Sequence, residues 1–123
     1  MKEEILDLKL KGYCCSQMVM EMGLRRLGKE NDDLVEAMAG LCGGIGSEKT
    51  CGIITAAWCL IHLAKPEEAE ELVTELNDWF EDAYGDMGCA DILQGVPVNK
   101  VEKCPVILEN VMMQVMELLE LED

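Results

Sequence analysis

The spacing of the apolar residues constrains most strongly what this chain can fold into. Ala69, Leu72, Val73, Leu76, Phe80 and Ala83 recur at intervals of three and four with Glu and Asp between them, which predicts a helix over residues 66–84 with one buried and one solvated face. The other segments share this period and are punctuated by residues that end helices. Ile5, Leu6, Leu8 and Leu10 predict a short helix over 2–11 that Gly12 ends. Met18, Val19, Met22 and Leu24 predict a second from Cys14 to Leu27, with Arg25 and Arg26 in its last turn and Gly28 just beyond. Asn31 is the expected N-cap of a third, which carries Leu34, Val35, Met38, Ala39 and Leu41 on its apolar face and stops by Cys42. Residues 51–64 are apolar on nearly every side, so a helix there is expected at the centre of a bundle.

A short turn of helix around 90–93 and the irregular Gly95-Val96-Pro97 should precede the last helix, from about Pro105 to Leu121. Its stripe of Val106, Ile107, Val111, Val115, Leu118 and Leu119 is wide enough to serve a homodimer contact as well as a core. No strand pattern, repeat or linker competes. The expected fold class is therefore all-α: a compact multi-helix bundle with a Gly-rich loop at 43–50 and a short irregular segment before the last helix, forming one domain over 1–123. Composition agrees, because half the residues are hydrophobic but only five are aromatic, leaving Leu, Val, Ile, Met and Ala to fill a helical core.

A net charge of −15, from 25 acidic and 10 basic residues, argues against nucleic acid and anionic membranes as partners. No apolar run approaches the ~20 residues that span a bilayer, and the start, Met1 to Asp7, is too charged for a signal-peptide core. The expectation is a cytoplasmic protein without membrane insertion, whose acidic surface favours a basic partner. Thiols are kept reduced in that compartment, so an odd count of seven cysteines suggests metal, redox or buried roles over a disulfide framework.

Cysteine placement sharpens this. Cys15, Cys51, Cys89 and Cys104 each fall where a helix is expected to begin, and there backbone amides and the helix dipole favour a thiolate. Were the four to converge, a tetrathiolate could hold an iron–sulfur cluster, zinc or another metal ion; a partial meeting would leave a dithiol that cycles through a disulfide. No Cys-x-x-Cys occurs, so thioredoxin, zinc-ribbon and c-type haem motifs are absent. Gly44, Gly46 and Gly52 are the candidate cofactor-binding positions, where glycine lets the backbone turn sharply and aim amides at Cys51. The loop loosely resembles a P-loop, but Glu48 stands at the second glycine and no strand precedes it. Cys59 and the single histidine, His62, are expected in the core. The methionines at 18, 20, 22, 38, 112, 113 and 116 fit core packing better than a copper site, and Glu67, Glu68, Glu70, Glu71 and Glu75 a solvated surface.

Cys15-Ser16-Gln17, Gly43-Gly44-Ile45-Gly46, Thr50-Cys51-Gly52, Gly88-Cys89 and Cys104 together resemble the C_GCAxxG_C_C family of redox proteins over most of the chain. The family's Cys-Gly-Ala-x-x-Gly segment corresponds to Cys51 to Ala56, with Ile53 in place of its alanine and Ala56 in place of its glycine. Glu48-Lys49 stands where the family loop often carries a further glycine. The resemblance implies a small helical redox-active protein, similar to the protein portion of split-Soret cytochromes but without covalent haem. It gives a role to Cys15, Cys51, Cys89 and Cys104, names no substrate or redox partner, and is silent on Cys14, Cys42 and Cys59. The functional expectation is electron transfer through an iron–sulfur cluster or other metal on those four residues. One alternative is a thiol–disulfide oxidoreductase using Cys89 with Cys104 or Cys15 with Cys51; another is structural zinc. Cys14, Cys42 and Cys59 are expected in supporting roles.

Overall fold

The computed structural model describes residues 2–42, 52–85 and 98–121, with only the backbone described for 98–104. Among these residues the architecture is all helical: α1 (Lys2–Leu10), α2 (Cys15–Arg26), α3 (Asp32–Ala37), a 3-10 turn (Met38–Leu41), α4 (Gly52–Ala64), α5 (Ala69–Tyr84) and α6 (Val98–Leu118). The helix ends follow local chemistry. Asn31 caps α3, its Oδ1 accepting from the Leu34 amide at 3.1 Å. Gly85 closes α5 with φ +79°, a left-handed conformation that glycine adopts without steric cost, and its amide donates to the Glu81 carbonyl.

Helices α2 and α4 form the centre, with α5 and α6 packed on α4 and α1 packed on α2 and α6. Close approach of α2 to α4 depends on Gly23, where an added Cβ would run into the Leu60 side chain. Around this contact Met20, Met22, Ile54, Leu60, Leu76, Phe80, Leu108 and Met112 are fully buried. The methionine expectation thus holds for the core positions, whereas Met113 is 55 % exposed. Polar pins tie α5 to both neighbours: Trp58 Nε1 on the central α4 donates to Asn77 Oδ1 on α5 at 2.6 Å, and Asn110 Nδ2 on α6 donates to the Tyr84 hydroxyl of α5 at 3.2 Å.

The structure corrects several expectations. Helix α5 starts at Ala69, because Pro66 to Glu68 form a turn in which the Glu68 amide donates to the Lys65 carbonyl. Helix α6 starts at Val98, which puts Pro105 inside it. Proline has no N–H for the Val101 carbonyl, but one lost bond is outweighed by burying Ile107, Leu108, Val111 and Val115. Cys104 therefore lies within a helix and not at its start. Helix α4 is central yet not enclosed: Cys59, His62 and Leu63, spaced three and four apart, share an exposed face that no helix among the described residues covers, so neither Cys59 nor His62 is a core residue. The expected turn of helix at 90–93 and the irregular 95–97 lie outside the described residues. No helix among those described is long and apolar enough to cross a membrane.

Glu4 ties α1 to α2. Its carboxylate accepts a fork from Arg26, Nη2 at 2.7 Å and Nη1 at 3.1 Å, and a further bond from Arg25 Nη1 at 3.1 Å. Burial pushes the Glu4 carboxyl upward, but the two guanidiniums outweigh it and hold the group below its ordinary 4.5. A depressed folded-state pKa stabilises the fold above about 4.5, and that contribution disappears as pH falls through the folded value. Glu4→Gln should thus cost about 1 kcal/mol at pH 7, with a smaller gap to the parent chain at pH 3. Urea titrations at the two pH values check this; an undiminished gap at pH 3 would assign the loss to packing instead of charge.

Candidate thiol site

The site is assembled by two helix ends separated in sequence. Gly12 turns the chain after α1, and Cys14 then takes the N-cap position of α2 in extended conformation, its amide donating to Gln17 Oε1 at 3.1 Å. Cys15 opens the helix and is half-buried against the core. Ser16, one residue further, is fully buried. On the opposite wall Cys42 caps the C-terminal end of the 3-10 turn, its extended backbone carrying the chain out of the turn.

These two ends meet sulfur to sulfur. Cys14 and Cys42 pair as a disulfide across a sequence separation of 28, with Cα atoms 6.3 Å apart, inside the span a disulfide bridges. The Ser16 hydroxyl lies against both sulfurs, 3.3 Å from Cys14 Sγ and 3.2 Å from Cys42 Sγ, and donates to the Met38 carbonyl at 2.8 Å. One buried hydroxyl thus bridges the N-terminus of α2 to the turn that carries Cys42. Gly52 supports the same wall: a Cβ there would collide with the Leu41 carbonyl oxygen and lie 3.6 Å from Cys42 Cα, so only glycine lets α4 start against this turn.

Of the cysteines expected at the site, Cys15 lies beside the pair at the head of α2. Cys51, the residue before Gly52, and Cys89 lie outside the described residues, as do Gly44 and Gly46; Cys104 is described only as backbone within α6. Among the described residues no three His, Cys, Asp or Glu side chains are grouped to hold a metal ion. Of the residues that do come together, Cys14 and Cys42 were expected only in supporting roles, Cys42 as a neighbour of the glycine loop and Cys14 as a candidate exchange partner of Cys15, and Ser16 was given none. The available signal was positional. Cys14 precedes an apolar helix at a cap site, and Cys42 follows the expected stop of another.

No curated protein and no solved structure matches the chain. A family model does, over residues 13–118, a span that contains all seven cysteines. With a cysteine pair already brought together inside that span, the chain belongs to the family described as "Putative redox-active protein (C_GCAxxG_C_C)".

Proposed function

We propose that this chain performs thiol–disulfide exchange through Cys14 and Cys42. The observation that carries the reading is the meeting of these two sulfurs beside a buried hydroxyl. The N-terminus of α2 favours negative charge on Cys14, so Cys14 is the attacking sulfur. Its thiolate attacks one sulfur of a partner disulfide and expels the other as a thiolate, leaving a mixed disulfide. The Cys42 thiolate then attacks Cys14 Sγ and releases the second partner sulfur. The chain has lost two electrons to form its own disulfide, and the partner, now a dithiol, has gained them. Run in reverse, the same steps oxidise a partner. The −15 charge suits a redox partner that offers a basic surface. Val106 and Met113, 57 % and 55 % exposed on α6, support a homodimer contact within this reading.

The family's four-cysteine pattern supports a second reading, an iron–sulfur cluster or other metal on Cys15, Cys51, Cys89 and Cys104, or zinc held structurally by them. Of those four sulfurs, Cys15 is the one whose side chain is described. Anaerobic purification separates the readings. Iron, zinc and acid-labile sulfide are measured per chain, and free thiols are counted and mapped by mass spectrometry before and after glutathione disulfide. Loss of two thiols as a Cys14–Cys42 cross-link is the expected result. Bound metal that Cys51→Ser removes, with Cys14 and Cys42 reduced throughout, would replace exchange with the metal reading.

A further inference from the structure

We propose that Ser16 is a positioning residue that sets the reduction potential of the Cys14–Cys42 pair by stabilising its reduced state; the inference rests on the thiol–disulfide reading above. A hydroxyl has one proton and two lone pairs. Ser16 is fully buried, so water does not share in its bonding, and its proton is committed to the Met38 carbonyl at 2.8 Å, the usual length of a good O–H···O bond. The two sulfurs at 3.3 and 3.2 Å therefore face the oxygen's lone pairs. A hydrogen bond there requires sulfur to be the donor, and only a thiol carries the S–H.

The consequence depends on redox state. In the dithiol, Cys14 and Cys42 each donate an S–H to Ser16 Oγ. On oxidation both protons leave with the two electrons, and the disulfide sulfurs have nothing to donate. The dithiol gains from Ser16 what the disulfide does not, so the residue holds the pair toward reduction. Its bond to Met38 adds position, since Met38 begins the 3-10 turn that Cys42 caps.

The test equilibrates the intact chain, Ser16→Ala and Ser16→Thr with graded ratios of reduced to oxidised glutathione at one pH, followed by acid quench and mapping of the Cys14–Cys42 peptide. The reaction is balanced: two protein thiols and one glutathione disulfide give one protein disulfide and two glutathione thiols. In Ser16→Ala the equilibrium constant for forming the bond should rise roughly five- to tenfold, the upper figure equal to about 30 mV toward a more negative potential. Ser16→Thr, which keeps the hydroxyl, should return toward the parent value. A purely structural role would weaken oxidised and reduced chains alike and leave the constant where it was. An unchanged or lowered constant in Ser16→Ala, or a threonine variant that behaves as alanine does, would overturn the inference. Failure of the parent chain to form the Cys14–Cys42 bond at any ratio would instead overturn the exchange reading on which it stands.

Discussion

Under oxidising conditions Cys42→Ala should lose about 3 kcal/mol of unfolding free energy relative to the parent chain, and under full reduction the two should unfold at nearly the same urea concentration. The bond joins residues 28 apart, and closing a loop of that length removes conformational freedom chiefly from the unfolded chain. Under reduction a half-buried side chain is trimmed and its single weak S–H bond to Ser16 is lost, which together cost only about 0.5 kcal/mol. The oxidised difference corresponds to a melting shift of roughly 10 °C for a domain of this size. Since α2 and the 3-10 turn are held by the bond and by Ser16 together, the effect should appear as earlier unfolding of the whole chain and not of one segment. Equal losses in both redox conditions would mean that Cys42 packs without bonding, and the exchange reading would lose its support.

The second large effect lies at the contact between α2 and α4. Leu60 is fully buried and fills the space that the missing side chain of Gly23 leaves open. Leu60→Ala should cost about 3 kcal/mol, from lost burial and the cavity left behind. Gly23→Ala should also destabilise, by about 1–2 kcal/mol, because overpacking against Leu60 exceeds what alanine gains in helix propensity. Together the changes are not additive. The methyl at 23 enters the space vacated at 60, so the double variant should be at least about 1 kcal/mol more stable than the two losses added. Urea titration of the four chains closes the cycle, and simple additivity would show that the helices do not touch through this pair.

This contact also shows why parts of the fold were readable and parts were not. The repeat from Ala69 to Phe80, the cap at Asn31 and the stops at Gly12, Gly28 and Gly85 each act within a turn or two of chain, so local sequence carries them. The exposed Cys59 and His62 were misplaced because α4 is apolar all round, and hydrophobicity alone does not say which face lacks a neighbour. Cys104 was placed at a helix start because proline prefers the first turn, a preference that burial further along α6 overrides.

By itself the sequence determined the all-helical class, most helix ends and the presence of a family bearing redox cysteines, because periodicity, capping and motif spacing are properties of neighbouring residues. Which sulfurs meet was decided only by the tertiary structure. Cys14 reaches Cys42, and Ser16 reaches Met38, through the way the 3-10 turn returns onto α2, supported by Gly52 against Leu41. That return is the product of packing between segments distant in the chain, and no single stretch of residues encodes it.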